Sequence, residues 1–120
     1  MEKETGKIYN LQDRTSEYGK NVVRFCRGLK RDPITLPIIV QLVRSSTSIG
    51  ANYMEANGAS SKKDFKNKIF ICKKEAQETK HWFNILEECY PEEKDKCREM
   101  FKEAQELTLI FQKIGSSLKI

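Results

Sequence analysis

Residues that interrupt regular structure are scarce in this sequence, which has only 6 glycines and 3 prolines among its 120 residues. Because these residue types mark most turns, their scarcity leaves room for long elements joined by few connections. Apolar runs are also short. The longest, residues 36–40, contains a proline and is far below the ~20 residues that span a bilayer. We therefore expect a single domain of regular elements and no membrane helix.

Residue types that bind metals or perform catalysis are equally sparse. The single histidine, His81, has no Ser or Cys partner at a suitable spacing, and no P-loop or nucleophile elbow occurs. The cysteines, Cys26, Cys72, Cys89 and Cys97, form no C-x-x-C pair, which argues against zinc and favours reduced thiols. The charged N-terminus lacks the apolar segment of a secretory signal. We expect a cytoplasmic protein that is not an enzyme and has no metal or cofactor.

Apolar residues recur at alternating steps of four and three, the period of an amphipathic helix. Four such stripes occur, separated by Gly28 and Pro33, by Gly58, and by Pro91. They predict an all-α fold, an antiparallel up-and-down four-helix bundle over residues 10–120, preceded by a flexible tail at residues 1–9. The stripe residues are Leu11, Thr15, Tyr18, Val22, Phe25 and Leu29; Leu36, Ile39, Leu42, Val43, Ser46, Ile49, Gly50 and Tyr53; Phe65, Ile69, Cys72, Ala76, Thr79, Phe83, Leu86 and Tyr90; and Met100, Ala104, Leu107, Phe111, Ile114 and Leu118.

Capping residues mark where the first three helices are expected to start and stop. Asn10, Thr35 and either Ser60 or Ser61 have side-chain oxygens that can accept from the first backbone N–H groups of a helix. We predict these residues as N-caps. Gly58 is predicted to close the second helix in the left-handed conformation.

A polar line remains on the second predicted helix once its core stripe is assigned. Arg44, Ser48, Asn52 and Glu55 recur at steps of four, four and three, which places them on one face roughly opposite that stripe. Small residues surround the line, where a solvated face would usually carry long Lys and Glu side chains. We interpret it as a surface that packs against another molecule, and an ordinary solvated face is the alternative.

The only tryptophan, Trp82, lies on the third predicted helix outside its core stripe. A side chain of this size is seldom left in water, and interfacial carboxylates are seldom left unpaired. We therefore predict a subunit interface on this side, where Arg44 could pair with Glu75 or Glu78. The predicted interface residues are Arg44, Ser48, Asn52, Glu55, Glu75, Glu78 and Trp82.

Lysines cluster on another side of the third predicted helix, with Phe70 among them, and the chain has a net charge of +5. Lysines that follow one line beside an aromatic residue suit phosphate contact and base stacking. A solvated lysine face is the alternative, although oligomerisation would repeat the cluster around an assembly. The predicted nucleic-acid-binding residues, including two arginines of the first helix, are Lys62, Lys63, Lys66, Lys73, Lys74, Lys80, Arg24 and Arg27.

Three segments resemble a known family: residues 44–52 with Glu55, residues 61–65, and residues 74–79 with Trp82. They look like the four-helix-bundle family of 23S ribosomal RNA intervening-sequence proteins, which in turn resembles the accessory variability proteins of diversity-generating retroelements. Tyr53-Met54 is a departure, since relatives more often have Ile-Ala there. The residues that match the family's polar positions are Arg44, Ser48, Asn52, Glu55, Glu75 and Glu78.

The resemblance implies an up-and-down bundle that assembles as a ring-shaped homopentamer with a basic surface. In the retroelement branch, the pentamer binds the reverse transcriptase and nucleic acid. We therefore expect a non-enzymatic accessory protein that forms a homo-oligomer and binds RNA or DNA, with a reverse transcriptase as a candidate partner. A protein-only scaffold is the alternative. A carboxylate enzyme built on Glu75 and Glu78 is a third hypothesis, which would require bound metal.

Overall fold

The structure is a computed structural model that describes residues 10–118. Its four α-helices are α1 (Leu11–Arg27), α2 (Thr35–Asn57), α3 (Lys62–Cys89) and α4 (Lys94–Ser117), with a 3-10 turn, Pro91–Glu93, before α4. Residues 10–118 contain no strand, and the predicted all-α four-helix fold is confirmed. The predicted tail, residues 1–9, lies outside the described residues.

Consecutive helices pack against each other and run in opposite directions. α1 packs on α2, α2 on α3, and α3 on α4. Arg44, in the middle of α2, pairs with Glu75, whereas Glu55, near the end of α2, pairs with Lys68, near the start of α3. This reversed order is that of an antiparallel pair. The helices are therefore arranged up and down, as their short connections predict.

Long side chains join α1 to α4 and close the bundle. The Tyr18 hydroxyl donates to the Met100 carbonyl at 2.8 Å, and burial raises the pKa of this tyrosine. One turn earlier in α1, the Arg14 guanidinium pairs with Glu103 and Glu106, each at 2.8 Å. The hydrogen bond to Glu103 and the two carboxylate charges raise the pKa of Arg14, so this arginine stays charged.

The core between the helices largely follows the predicted stripes. Large side chains such as Leu42, Phe83 and Phe111 are almost completely buried there. Leu36 is an exception, because it is 48% exposed and lies on a different face of α2 from Leu42. Ser45, one of the small residues around the polar line of α2, is fully buried.

Two of the predicted N-caps are confirmed. The Asn10 side chain accepts from the backbone N–H of Asp13 at 3.2 Å, and the Ser61 hydroxyl accepts from that of Asp64 at 3.0 Å. Both satisfy N–H groups that the first turn of a helix leaves without an intrahelical partner. The starts of α1 and α3 therefore lie where the sequence places them.

α2 begins at Thr35, where the sequence places it, but Thr35 is not its cap. The Asp32 carboxylate accepts from the backbone N–H groups of Ile34 and Thr35, at 2.8 and 2.9 Å. Thr35 is buried, and its hydroxyl accepts from the Asp32 backbone N–H at 3.0 Å. The left-handed conformation predicted for Gly58 is also wrong, because its φ is −99°. Its N–H donates to the Glu55 carbonyl instead.

Candidate nucleic-acid and subunit interfaces

Arg44 links α2 to α3 through two carboxylates. Its Nη1 atom lies 3.2 Å from Oε1 of Glu75, and its Nη2 atom donates to Oε2 of Glu78. The Nε atom donates to the side-chain oxygen of Gln41 at 3.0 Å. The sequence analysis proposed this pairing at a subunit interface, and the structure forms it within one chain.

Trp82 shares the Glu78 carboxylate with Arg44. Its indole N–H donates to Oε2 of Glu78 at 3.1 Å, and its ring is partly buried against the core. Burial raises the pKa of Glu78, but the hydrogen bonds from Trp82 and Arg44 and the charge of Arg44 outweigh that effect and lower it. Glu78 is therefore ionised at neutral pH, and Trp82 is partly covered without a partner subunit.

The rest of the polar line is held by local hydrogen bonds. The Ser48 hydroxyl donates to the Arg44 carbonyl at 2.7 Å, and the Asn52 amide donates to the Ser48 carbonyl at 2.9 Å. Glu55 pairs with Lys68 of α3 at 2.9 Å. The structure thus places all seven predicted interface residues on the side that α2 and α3 share, where polar contacts already link them within the chain.

An exposed apolar stripe on α2 lies beside this polar line and was missed by the sequence analysis. Leu36, Val40 and Met54 are 48%, 53% and 56% exposed. They lie on one face of the helix with the two residues between them, because steps of four, three, four and seven separate positions 36, 40, 43, 47 and 54. The signal was present in the sequence as a second periodic stripe. We call Leu36, Val40 and Met54 the α2 stripe.

The basic side of α3 borders α4, and two of its lysines contact α4 through neutral groups. The Lys73 ammonium donates to the side-chain oxygen of Gln112 at 3.1 Å, and the Lys80 ammonium donates to that of Gln105. A glutamine amide positions an ammonium group without cancelling its charge. Neither contact brings a negative charge to these two half-buried lysines.

The six predicted lysines of α3 lie together along this side of the helix, which we call the basic face. The ion pairs found within residues 10–118 join other groups, and none of them includes a lysine of the basic face. No carboxylate thus lies within ion-pair distance of the basic face in the described part of the chain, although the charge of Lys74 helps to lower the pKa of Glu78. The residues of the basic face are Lys62, Lys63, Lys66, Lys73, Lys74 and Lys80.

The two predicted arginines lie apart from the basic face. Arg24 and Arg27 belong to α1, whose contact with α3 lies in the core, where the rings of Phe25 and Phe83 are 6.5 Å apart. Arg24 donates to Asn21 at 2.6 Å and lies 3.4 Å from the Glu17 carboxylate, so its charge is partly compensated. The structure therefore divides the predicted nucleic-acid-binding residues into two separate surfaces, of which the basic face is the more strongly charged.

The cysteines are all free thiols in the structure. Cys26, Cys72 and Cys97 are buried, and Cys89 is half-buried. Burial raises the pKa of Cys26 and Cys97 to about 11 and that of Cys72 to about 12. Because the thiolate is the reactive form, these three side chains serve as small apolar core residues.

Within residues 10–118, no group of three or more His, Cys, Asp or Glu side chains is placed to hold a metal ion. None of the helices described in this range combines the length and the apolar character required to cross a bilayer.

Comparisons with known proteins place this bundle in a family. The model of the 23S rRNA-intervening sequence protein family matches residues 9–113. Among solved structures, the chain is similar to a protein of unknown function from the S23 ribosomal protein family of Bacteroides thetaiotaomicron, with 30% identity and a TM-score of 0.79 over 88% of this chain and 97% of that one. No curated protein matches. The family model spans most of the sequence, and the chain therefore belongs to the 23S rRNA-intervening sequence protein family.

Proposed function

We propose that this protein is a non-enzymatic, oligomeric accessory protein of the cytoplasm that binds nucleic acid with the basic face of α3. The observation that carries the proposal is the set of six lysines on one side of a helix, none of them paired with a carboxylate within residues 10–118. Lysines in this state can neutralise phosphates and release the counterions condensed on them, which is the main source of sequence-independent affinity.

Oligomerisation is the second part of the proposal, and the α2 stripe supports it. Leu36 and Val40 expose apolar surface within about two helical turns of Arg44, a combination of apolar and polar groups that suits a subunit interface, and Met54 extends the apolar surface along α2 to the groove between α1 and α2. A ring of five chains, which the family resemblance implies, would carry five copies of the basic face. Several basic faces that bind the same long polyanion raise the overall affinity, although each face makes the same contacts as it would alone.

The protein partner in this proposal is a reverse transcriptase. That choice rests on the resemblance to the retroelement accessory proteins. A pentamer that holds the nucleic acid on its basic faces would keep the template near the polymerase. A protein-only scaffold is the alternative, and in that case the α2 stripe and the Arg44 cluster would recruit the partner while the basic face remained solvated.

The test is binding of labelled single-stranded RNA and DNA by a variant with Lys66, Lys73 and Lys80 all changed to Gln. We expect the affinity of the native protein to fall steeply as salt rises, because each phosphate contact with a single strand contributes about 0.7 to the slope of log affinity against log salt. The variant should bind more than about tenfold more weakly at low salt. Its slope of log affinity against log salt should be shallower by about 2.

A matched control removes the same charge elsewhere. Changing Lys30, Lys94 and Lys96 to Gln lowers the net charge equally but leaves the basic face intact. This control should keep most of the affinity. Equal losses in both variants, or native binding that does not respond to salt, would contradict the proposal. Recovery of a protein partner that survives nuclease treatment, without any RNA or DNA binding, would favour the protein-only scaffold.

A further inference from the structure

Phe70 is a large apolar side chain on the outer side of α3, where its ring is 59% exposed. An aromatic ring combines a large apolar surface with a π face, so a ring that the core does not cover is available to a ligand that stacks on it. The core positions of α3 on either side of it, Ile69 and Cys72, are almost completely buried. Phe70 therefore contributes little to the core of this chain.

The helical neighbours of Phe70 are almost all cationic. On a helix surface, a residue is adjacent to those three and four positions away. For Phe70 these positions hold Lys66, Asn67, Lys73 and Lys74, so three lysines and one amide surround the ring. No carboxylate occupies any of the four positions. The ring thus has positive charge one turn before it and one turn after it.

One of these lysines has a defined position relative to the ring. The Lys73 ammonium lies 5.9 Å from the centroid of the Phe70 ring and donates to Gln112 of α4 at 3.1 Å. The ammonium lies over one face of the ring, and the contact with α4 holds it there while much of Phe70 stays exposed to solvent. A ring with a fixed cation over one face can accept a nucleobase on its other face and the adjoining phosphate near the cation.

From this geometry we infer that Phe70 stacks on an unpaired base, and that the basic face of α3 selects single-stranded nucleic acid. In a duplex the bases are stacked on each other, and only phosphates and groove edges face a helix that lies on the surface. A single strand, a loop or a bulge can turn a base outward onto an aromatic ring. This inference rests on the proposed function and adds the kind of nucleic acid and the residue that selects it.

The test compares Phe70→Ala and Phe70→Tyr with the native protein on an unstructured oligonucleotide of about 12 nucleotides and on a duplex of the same sequence. Ala keeps the helix propensity high, and Tyr keeps an aromatic ring. Phe70→Ala should bind the single strand about tenfold more weakly, the size expected for one lost base stack, and should bind the duplex as the native protein does. Phe70→Tyr should restore the single-strand affinity.

A matched control and a spectroscopic signal separate stacking from a general loss of apolar surface. Leu109, on α4, is 57% exposed and not aromatic, and Leu109→Ala should leave single-strand affinity unchanged. An oligonucleotide with 2-aminopurine should lose fluorescence on binding the native protein, because stacking quenches this base. The quenching should be absent with Phe70→Ala.

The outcomes distinguish this inference from the proposed function. Salt-dependent binding that Phe70→Ala does not weaken would overturn the stacking role and leave nucleic-acid binding in place. No binding of either nucleic acid by the native protein would overturn both. A smaller particle mass for Phe70→Ala in light scattering would show that a second copy of this chain covers the ring, and that result would also overturn the stacking role.

Discussion

Glu78 joins side chains from two helices, because its carboxylate accepts from both Arg44 and Trp82. The pKa of Glu78 lies below the ordinary value of 4.5, so folding favours the ionised form. The stabilisation that ionised Glu78 provides is complete at pH values above the pKa of Glu78 in the unfolded chain. It is lost as the pH falls through the lower pKa that Glu78 has in the folded state. Since Arg44 is 42% exposed, solvent screening limits the contribution of the Arg44–Glu78 pair to the free energy of unfolding to about 1 kcal/mol or less.

Replacing Glu78 by Gln should therefore lower stability slightly at pH 7 and make it less sensitive to acid. The measurement is urea denaturation at pH 7 and near pH 3, where the native protein should lose more stability than Glu78→Gln. Glu88→Gln is a matched control, because Glu88 is exposed on the same helix and forms no ion pair within residues 10–118. If the native protein and Glu78→Gln lost the same stability between the two pH values, the lowered pKa of Glu78 would be contradicted.

Single residues show which features the sequence can specify. The pairing of Arg44 with Glu75 and Glu78 was predicted from their charges, but at a contact between subunits, and the structure forms it within one chain. The burial of Ser45 was not predictable, since a small polar residue on a helix suggests a surface position. In the structure the Thr79 hydroxyl lies 2.9 Å from that of Ser45 and both are buried, so a partner on another helix satisfies it. The periodicity of one helix does not reveal which hydrogen-bond partners a neighbouring helix will supply.

At the scale of elements, α1 and α2 approach each other closely at a glycine. A Cβ atom added to Gly50 would lie 3.4 Å from the backbone of Thr15 and Ser16. Gly50→Leu would force its remaining side-chain atoms into α1. We expect a loss of about 1–3 kcal/mol, the usual cost of overpacking, because a helix backbone moves less readily than a side chain. Urea denaturation of the variant would measure it.

The same substitution at Gly115 provides the control. A Cβ atom there would meet only a side-chain methyl of Ile69 at 3.9 Å, near the end of α4. Gly115→Leu should therefore be close to neutral or slightly stabilising, since leucine favours a helix more than glycine does. If Gly50→Leu were as stable as Gly115→Leu, the close approach of α1 and α2 would not constrain the bundle.

The sequence predicted all four helices, but it left ambiguities within α2. Leu36 precedes Ile39 by three positions and Val40 by four, so it fits either of two stripes. Only the packing of α1 and α3 around α2 decides which stripe becomes core. The cap of α2 was ambiguous for a similar reason, because Asp32 and Thr35 are both good capping residues and the path of the preceding connection selects Asp32.

For the whole molecule, the arrangement of the helices separates charges that the sequence analysis grouped together. Arg24 and Arg27 lie on α1, whereas the basic face lies on α3, and these two helices meet through core side chains such as Phe25 and Phe83. Only a folded chain shows this, since spacing along one helix says nothing about which helices are neighbours. A nucleic acid that contacts one chain would reach the basic face without reaching these arginines. An assembly could bring the two surfaces of different chains together.

The surface that would form such an assembly can be tested with Val40→Glu. Val40 is 53% exposed in the α2 stripe, so a charge there is tolerated in a single chain but costly when a partner buries it. We expect light scattering to show a multiple of 14.0 kDa for the native protein and a smaller particle for Val40→Glu, with unchanged helix content in circular dichroism.

Leu109→Glu is the matched control for this prediction. It introduces the same charge at an apolar residue of similar exposure, 57%, but on α4 and outside the α2 stripe. The control should keep the mass of the native particle, because the proposed interface lies on the α2 stripe and the neighbouring Arg44 cluster. A native protein with the mass of one chain would exclude the oligomer, and loss of assembly in Leu109→Glu alone would move the interface to α4. If only Val40→Glu dissociates, its affinity for single-stranded RNA should fall as well, since one chain presents a single basic face where the oligomer presents several.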